Sequence, residues 1–337
     1  MISRSGAEQI VARAPGRVVL IGDHTDYTGG LVCPMAIDRW TTVSGTVGGS
    51  RLSLTSDHES EALDIALPVD DPRLVSPAWG RYVAGVASLL GTSKGFTGRV
   101  RTSVPIGAGL SSSAALEVAT ALTLGFEGNV EELASLCQRA ENTATGLPSG
   151  ILDQLTSAGG VAGHALVMDC TTFAREPIPV PDDVWVQVVF IAQRQLVGSP
   201  YAERVTQCAA AEALIGPLRS ASIHSIEEIE DPVVRRRARH VITENQRVRD
   251  FATAFRTCDL VGAGSLMVEG HESLRNDYNT STPAMDRAVQ SLVQRSDVYG
   301  ARMTGGGFGG CVVALTQPGA EIPDAWVVRA AGGASRA

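Results

Sequence analysis

Hydrophobic and polar positions alternate with two different periods along the first half of the chain. Stretches with strand-like alternation are separated by Gly-rich and Asp-rich turns, and longer stretches repeat apolar residues at helical spacing. The predicted strands cover residues 10–19, 31–37, 41–47, 51–55 and 96–103, and the predicted helices cover residues 79–90, 111–124 and 130–143. The first hundred residues are therefore expected to be mainly β.

The second half is richer in helical patterns. Its predicted strands cover residues 185–192, 311–315 and 326–328, and its predicted helices cover residues 201–214, 232–255, 260–276 and 284–294. Residues 175–183 contain three prolines, which interrupt both helix and strand, so we place a domain boundary there. The pattern predicts an α+β protein with two domains, residues 1–178 and 179–337, and a cleft between them.

Composition and charge narrow the possible functions. A chain of 337 residues suits about two domains, and 44% apolar with 19% charged residues is typical of a folded protein. The net charge of -8 provides no basic field for nucleic acid or anionic lipid, and the Arg-rich run at 235–239 is interpreted as a solvated helix face. No leader-like or bilayer-spanning apolar stretch is visible, so the sequence predicts a cytoplasmic protein.

The basic residues are almost all arginine. Lys94 is the single lysine among 28 basic residues, and it lies in a predicted loop. A Walker A loop, a protein kinase and a pyridoxal enzyme each need a lysine in another context, so these classes are excluded. The six cysteines show no zinc spacing and are interpreted as reduced, mostly buried thiols. Any phosphate chemistry must then rely on backbone N–H groups, arginine and a metal ion.

The first of three segments with ligand-binding chemistry spans residues 14–30. A predicted strand that contains Arg17 ends at Gly22 and opens into a polar turn. The polar side chains of this turn are Asp23, His24, Asp26 and Tyr27. Carboxylates and an imidazole on one short turn suit a polyhydroxylated ligand, because each can hydrogen-bond to sugar hydroxyls. A turn that only caps a neighbouring helix is the alternative interpretation.

The second segment, residues 104–117, runs from glycines through three serines into an Ala-rich helix. Its backbone N–H groups and the helix N-terminus form an anion site, and the serine hydroxyls can reach phosphate oxygens or Mg²⁺. An ordinary Gly-rich turn with a serine cap is the alternative.

The third segment, residues 302–311, is a run of glycines near the C-terminus. It matches a dinucleotide fingerprint at Gly305, Gly307 and Gly310. We reject that interpretation because a short strand pattern follows in place of a long helix, and no acidic residue stands about 20 positions later. Together with the other two segments, the glycines indicate a backbone that closely approaches a ligand.

The three segments, in this order, resemble the GHMP kinase superfamily, and the first resembles its galactokinase family. The galactokinase signature reads Gly-Arg-Val-Asn-Leu-Ile-Gly-Glu-His-x-Asp-Tyr, and residues 16–27 read Gly-Arg-Val-Val-Leu-Ile-Gly-Asp-His-Thr-Asp-Tyr. The similarity continues through residues 150–154, 239–244, 271–278 and the glycine run, so it covers nearly the whole chain. It implies an N-terminal domain like domain 2 of ribosomal protein S5, a ferredoxin-like C-terminal domain, and an active site between them.

The resemblance implies a sugar 1-kinase that takes ATP and galactose as its small-molecule partners. Asp153 would take or orient the proton of the anomeric hydroxyl, and Arg17 would stabilise charge on the γ-phosphoryl group during in-line transfer. A structural salt bridge is the alternative for this pair, and a packed surface aromatic is the alternative for Tyr201. The galactose-binding residues implied are Asp23, His24, Asp26, Gly150, Asp153 and Tyr201.

The resemblance also implies how ATP and Mg²⁺ would be held. The loop at residues 105–114 would cradle the triphosphate, and Trp79 would lie against adenine, with a core or surface tryptophan as the alternative. Mg²⁺ would be coordinated by Glu141 and by the hydroxyl of Ser112 or Ser113. The ATP-binding residues implied are Trp79, Gly107, Ala108, Gly109, Leu110, Ser111, Ser112, Ser113 and Ala114. The glycine loop that would close over the phosphoryl group and the sugar comprises Gly305, Gly306 and Gly307.

Two departures from the family pattern leave the identity of the sugar substrate undecided. The family Glu is Asp23 and the family Asn is Val19. A shorter carboxylate near the sugar's 6-hydroxyl leaves room for a modified or absent C6 group, as in galacturonate or L-arabinose. A kinase for another sugar, such as N-acetylgalactosamine, is also an alternative. A non-catalytic sensor of galactose and ATP is a further alternative, but such a sensor lacks the Ser-Ala pair that is present here at Ser113-Ala114. We expect a monomer with no nucleic-acid or membrane partner.

Overall fold

The computed structural model describes residues 9–194 and 198–337, which form two β-sheets and eight α-helices. The strands are β1 (Gln9–Ile21), β2 (Leu31–Val47), β3 (Arg51–Ser56), β4 (Leu63–Ala66), β5 (Phe96–Thr102), β6 (His164–Asp169), β7 (Arg175–Pro179), β8 (Trp185–Ala192), β9 (Val298–Thr304), β10 (Gly310–Thr316), β11 (Ala325–Val328) and β12 (Ser335–Arg336). The helices are α1 (Gly80–Leu90), α2 (Ser112–Thr123), α3 (Val130–Thr145), α4 (Leu152–Gly159), α5 (Tyr201–Ile215), α6 (Pro232–Arg256), α7 (Leu260–Ser273) and α8 (Pro283–Val293). The predicted α+β class is confirmed.

The first sheet has the strand order β12-β1-β2-β5-β3-β4, and β6 joins it by pairing with β2 and β7. β3 pairs with β5 in parallel, while β1 pairs with β2 antiparallel over most of its length. The second sheet is antiparallel, with the order β11-β8-β10-β9. The final strand, β12, pairs with β1 in the first sheet, although its residues belong to the predicted second domain.

Four of the helices, α3, α6, α7 and α8, begin at a residue whose side chain caps the helix. Asp231 accepts hydrogen bonds from two backbone N–H groups of α6, whose first residue is Pro232. Asn129 and Glu132 form a reciprocal capping box at the start of α3. These local signals explain why most predicted helix limits lie within a residue or two of the observed ones.

A shared hydrophobic core joins the two halves of the chain. The second half of β1 is buried at every position from Ala14 to Ile21, because helices cover one of its faces and the second half of the chain covers the other. Residues of β1, β2, β8, β10, α6 and α7 contribute to this core, among them Leu20, Met35, Val188, Phe251, Met267 and Val313. Such a core holds the two sheets, and therefore the loops between them, in a fixed relation.

Two sequence expectations are wrong. The prolines of residues 175–183 were expected to interrupt helix and strand, but residues 175–179 form β7. It pairs with β6 at the edge of the sheet, where strand prolines are tolerated. The Arg-rich run is not a solvated face throughout, since Arg237 is buried, packs over the ring of Tyr278 and donates to the Asp277 carbonyl. Its neighbour Arg239 forms a salt bridge with the Asp277 carboxylate.

The cysteine prediction is confirmed. All six cysteines are free thiols, and five of them are buried, with Cys258 exposed. Across residues 9–194 and 198–337, no helix has both the length and the apolar character needed to cross a membrane.

Candidate active site

All three ligand-binding segments line one cavity of about 740 Å³ between the two sheets. The first segment contributes Arg17, Asp23, His24 and Asp26, the second contributes Gly107, Gly109, Ser111, Ser112 and Ser113, and the third contributes Gly305 and Gly306. Trp79, Glu141, Gly150, Asp153 and Tyr201 complete the set of predicted site residues on its wall. The fold therefore brings together segments that are up to about three hundred residues apart in sequence.

Four predicted site residues are not on that wall. The side chains of Ala108, Leu110 and Ala114 are buried in the core beneath the phosphate loop. Gly307 faces Thr280, since a Cβ atom on it would lie 2.5 Å from the Thr280 carbonyl oxygen. These residues shape the two loops from behind and present no side chain to the cavity.

Arg17 and Asp153 are in direct contact. Arg17 Nε donates to Asp153 Oδ1 over 2.7 Å, and its Nη1 donates to the Gly109 carbonyl over 2.7 Å. Ser111, at the N-cap of α2 with a φ of 62°, donates to the other carboxylate oxygen, Oδ2, over 2.5 Å. Arg17 is 3% exposed and Asp153 is 26% exposed, so the carboxylate is the more accessible partner. The first turn of α4 thus holds an oriented anion at the cavity wall.

Asp26 and Gly150 lie side by side near that carboxylate. A Cβ atom on Gly150 would fall 1.8 Å from Asp26 Oδ2, so only glycine fits beside this carboxyl group. Desolvation, together with the negative charge of Asp153, raises the pKa of Asp26 to about 6. Asp26 is therefore largely ionised at pH 7, and its carboxylate also accepts from backbone N–H groups, among them those of Tyr27 and Leu152.

His24 sits in a cluster of aromatic side chains. Its Nδ1 atom lies 3.0 Å from Tyr27 Oη, which in turn lies 2.5 Å from Tyr278 Oη, and Cys208 Sγ lies 3.0 Å from the same Tyr278 oxygen. Among the described residues His24 Nε2 has no hydrogen-bond partner, although it is buried. Burial, with the nearby His240 and Arg204, lowers the pKa of His24 well below its ordinary value. The imidazole is thus neutral and has one nitrogen available to a ligand.

Asp23 is engaged by the protein itself. Its Oδ2 accepts from Arg302 Nη2 over 3.0 Å, and its Oδ1 accepts from the backbone N–H of Gly305 over 2.7 Å. Arg302 also donates to Glu244 Oε1 over 2.8 Å, and all three side chains are almost completely buried. Burial raises the pKa of Asp23 to about 7 despite the opposing charge of Arg302. This ion network ties the polar turn of the first segment to the glycine loop of the third.

A second group of carboxylates borders the phosphate loop. Ser113 donates to Glu141 Oε1 over 2.8 Å, and the amide of Gln154 donates to Glu141 Oε2 over 2.7 Å and to Glu117 Oε2 over 3.0 Å. Burial and the Glu141 charge raise the pKa of Glu117 well above its ordinary value. Two adjacent oxygen ligands at the wall are too few to hold a metal alone, but they suit Mg²⁺, which takes most of its ligands from phosphates and water.

Two of the predicted aromatic residues, Trp79 and Tyr201, line the cavity. Trp79 precedes α1 and donates from its indole N–H to the Glu61 carbonyl over 3.1 Å, which leaves the ring beside the cavity. Tyr201 is 7% exposed, and its ring centroid lies 5.6 Å from that of His24. Tyr201 is therefore a buried residue of the cavity wall and not a surface aromatic.

Sequence reasoning missed several residues at this site. Arg302 and Gln154 lie within recognised segments, but the partners that give them a role are distant in sequence. Arg194 belongs to no motif, yet it lines the cavity and anchors to the phosphate loop by donating its backbone N–H to the Gly107 carbonyl. A single arginine next to a predicted phosphate loop leaves no periodic signal in a sequence.

Known proteins share both the sequence and the fold. Residues 2–47 match the galactokinase galactose-binding signature, residues 81–160 match the GHMP kinases N terminal domain, and residues 251–328 match GHMP kinases C terminal. Human galactokinase is 40% identical over 336 residues, which cover 94% of this chain and 86% of the human protein. The galactokinase of Roseiflexus sp. (strain RS-1) is 41% identical over 331 residues, covering 91% of this chain and 83% of that protein.

The structural comparison agrees. Lactococcus lactis galactokinase, solved in complex with galactose, superposes with a TM-score of 0.88 at 30% identity and covers 97% of this chain and 95% of its own. Methanococcus jannaschii mevalonate kinase shares the fold, with a TM-score of 0.67 at 21% identity and coverage of 93% and 92%. The signature, the identity over nearly the full length and the shared fold lead to one conclusion: this chain belongs to the galactokinase family of the GHMP kinases.

Proposed function

We propose that this enzyme transfers the γ-phosphoryl group of ATP to the 1-hydroxyl of α-D-galactose. Membership of the galactokinase family makes it a sugar kinase. The observation that carries the assignment of the reacting groups is the meeting of Arg17, Asp153 and Ser111 at one point of the cavity. That point lies between the polar turn, which suits a sugar, and the glycine-serine loop, which suits a triphosphate.

Asp153 receives the proton in this proposal. As the 1-hydroxyl oxygen forms its bond to the γ-phosphorus, its proton passes to the Asp153 carboxylate, and the bond from the γ-phosphorus to the β,γ-bridging oxygen breaks to release ADP. Arg17 and Ser111 each hold one oxygen of the carboxylate, so the group is oriented before the sugar binds. The Arg17 guanidinium also provides positive charge where negative charge spreads over the phosphoryl oxygens.

The polar turn binds the sugar. Asp26 accepts from two neighbouring hydroxyls, which penalises an epimer that moves one of them because a buried polar group is then left unpaired. His24 presents its free Nε2 atom, and Tyr201 packs beside it. Gly150 leaves the space in which Asp26 and the sugar approach each other.

Asp23 has another role in this proposal. Asp23 is 2% exposed and accepts from Arg302 and from the N–H of Gly305, so we assign it to positioning the glycine loop and not to direct recognition of the 6-hydroxyl. Galactose remains the substrate, with loose discrimination at C6. Faster turnover of galacturonate or L-arabinose than of galactose would overturn this part of the proposal.

Mg²⁺ would be held by Glu141 and by the hydroxyl of Ser113 or Ser112, together with the phosphates of ATP. The adjacency of Ser113 and Glu141 at the cavity wall supports this pair. When bound, the ion neutralises charge on the β- and γ-phosphates during transfer. Gln154 holds the Glu141 carboxylate in place from behind.

The test is an ADP-release assay with Mg-ATP and five sugars: galactose, N-acetylgalactosamine, L-arabinose, galacturonate and glucose. The product is identified by ³¹P NMR. We expect turnover of galactose to the 1-phosphate and negligible turnover of glucose. Activity restricted to another sugar would reassign the substrate, and sugar-dependent ATP binding without turnover would make the protein a sensor.

A further inference from the structure

Residues 274–280, the π segment, contact two of the three ligand-binding segments. Helix α7 continues into a single π-helical turn, Leu274–Tyr278, and Asn279 then adopts a left-handed conformation with a φ of 55°. Tyr278 and Thr280, in the last part of the π segment, are both completely buried. A π-helical turn is rare in proteins and often occurs at a functional site. The π segment therefore merits a role that the reaction described so far does not give it.

The π segment contacts the glycine loop through Thr280 and the polar turn through Tyr278. The Phe308 N–H donates to the Thr280 carbonyl oxygen over 2.8 Å. A Cβ atom on Gly307 would lie 2.5 Å from the same oxygen, so the glycine loop packs directly against this residue. On the other side, Tyr278 Oη lies 2.5 Å from Tyr27 Oη. The π segment thus fixes where the glycine loop lies relative to the polar turn.

Phe308 adopts a conformation that is unfavourable for an aromatic residue. Its φ is 59°, in the left-handed region, where the Cβ atom of an L residue crowds the backbone. Such a conformation persists only where the surrounding structure fixes it. Gly305 and Gly306, in the same loop, line the cavity. The contacts that fix Phe308 therefore also fix the loop at the site.

Arg204, on α5, binds both the π segment and the glycine loop. Its Nε donates to the Tyr278 carbonyl over 2.7 Å, and its Nη2 donates to the Asn279 carbonyl over 3.1 Å. Its guanidinium carbon lies 5.8 Å from the centre of the Phe308 ring, within the range of a cation–π attraction. Arg204 is buried, whereas the carboxylate of Glu203, 3.6 Å from it, belongs to a side chain that is 67% exposed. Burying a guanidinium against carbonyl oxygens and a ring is costly, which favours a function for this arrangement.

We propose that Arg204 is a positioning residue, which holds the glycine loop at the point of phosphoryl transfer by bonding the π segment and packing over Phe308. This inference rests on the proposed function. Arg204 is not among the described residues that line the cavity, so it acts through Gly305 and Gly306, which do. The glycine loop lies close to the phosphate loop, since a Cβ atom on Gly305 would lie 3.0 Å from the Gly109 carbonyl oxygen. A small displacement of the glycine loop would therefore disturb the geometry of transfer.

The test compares Arg204→Met with Arg237→Met in the full-length protein. Arg237 provides a matched control, because it is also buried and bonds the same segment, at the Asp277 carbonyl and the Asn279 side chain. For Arg204→Met we expect a kcat about 10- to 100-fold lower and a galactose KM within about threefold of the unmodified enzyme. Arg204→Lys should recover part of the kcat, since an ammonium group can still donate to one of the two carbonyls. Arg237→Met should lose stability but keep its kcat within about threefold. Equal losses of kcat in Arg204→Met and Arg237→Met, or a loss below about threefold in Arg204→Met, would overturn the proposal.

Phe308→Leu tests the same link if Arg204→Met does not fold. It removes the ring beneath the guanidinium and leaves the buried arginine with its carbonyl partners. We expect a kcat about tenfold lower with the galactose KM preserved. In the double variant with Arg204→Lys, the loss of kcat should be smaller than the product of the two single losses, because both changes break one link. An unchanged kcat in Phe308→Leu, or losses that simply multiply, would overturn the proposal.

Amide hydrogen exchange separates this inference from the proposed function, because it needs no turnover. In Arg204→Lys, the amides of residues 304–310 should exchange at least about tenfold faster than in the unmodified protein, while those of β1 keep their rates. The Phe308 N–H, which donates to Thr280, is the most direct reporter. Unchanged exchange in the glycine loop would overturn the inference whichever sugar is phosphorylated. If the unmodified protein phosphorylated no sugar, the proposed function would fail while this comparison still tested the link.

Discussion

Arg302 offers a test of how the ion network stabilises the fold. It is completely buried on β9, where it donates to Asp23 Oδ2 over 3.0 Å and to Glu244 Oε1 over 2.8 Å. Replacing it with methionine keeps most of the side-chain volume and removes the charge. Glu244 would still accept from Arg247 over 2.7 Å, whereas Asp23 would keep only the N–H of Gly305.

The size of the effect follows from this loss of partners. Removing one member of a buried ion pair costs about 3 to 5 kcal/mol, because a carboxylate is left buried without compensation. At about 1.4 kcal/mol per factor of ten, Arg302→Met should change the unfolding equilibrium constant by two to three and a half orders of magnitude. The pKa of Asp23 is already raised to about 7 by burial, so protonation of Asp23 should relieve part of the cost in the variant.

Urea unfolding followed by circular dichroism and fluorescence provides the assay. The matched control is Arg256→Met, because Arg256 lies 2.5 Å from Glu176 but both side chains are largely exposed. That surface pair should contribute at most about 1 kcal/mol. The double variant Asp23→Asn with Arg302→Met should be more stable than Arg302→Met alone, since no buried charge remains at position 23. A destabilisation of Arg302→Met equal to that of Arg256→Met would refute the reasoning.

Three further predictions concern the ligands. In the proposed function Asp26 binds the sugar as an anion, and its pKa is raised to about 6. We therefore expect kcat/KM for galactose to be constant above pH 7 and to fall about tenfold per pH unit below pH 6. A profile that stays flat to about pH 5 would disprove this. Trp79→Ala should raise the KM for ATP about tenfold through lost stacking and leave the galactose KM unchanged. The measurement is steady-state kinetics with each substrate varied in turn, and an equal rise in both KM values would contradict the prediction. Tyr27→Phe removes the hydroxyl that is the hydrogen-bond partner of His24 Nδ1. We therefore expect the galactose KM to rise about three- to tenfold and the ATP KM to stay unaltered. An unchanged galactose KM would argue against a role for His24 in sugar binding.

Much of the fold could be predicted because its signals are local. The alternating residues of β8 and the Asp-Pro start of α6 predict these elements to within a residue. β9 was not predicted, because Gly300 and the buried Arg302 interrupt an apolar strand pattern. The charge of Arg302 is compensated by Glu244 and by Asp23, which is 279 residues away in sequence.

The residues of the candidate site also differ in whether the sequence alone could predict them. Residues within compact motifs, such as Arg17 and Asp26, could be predicted from the sequence and its resemblance to a family. Arg194 could not, since its position becomes meaningful only when β8 brings it against the glycines of two other loops. Asp23 was expected at the sugar and does line the cavity, but the sequence did not reveal its ion pair with the buried Arg302.

The central claim is that Asp153, held by Arg17 and Ser111, accepts the proton of the sugar hydroxyl. Its most direct test is a single-turnover measurement of galactose phosphorylation by Asp153→Asn, with galactose affinity measured in parallel by calorimetry. The account predicts a transfer rate about 10² to 10⁴-fold lower than that of the unmodified enzyme, with galactose still bound. A folded Asp153→Asn protein that transfers phosphate within tenfold of the normal rate would contradict it.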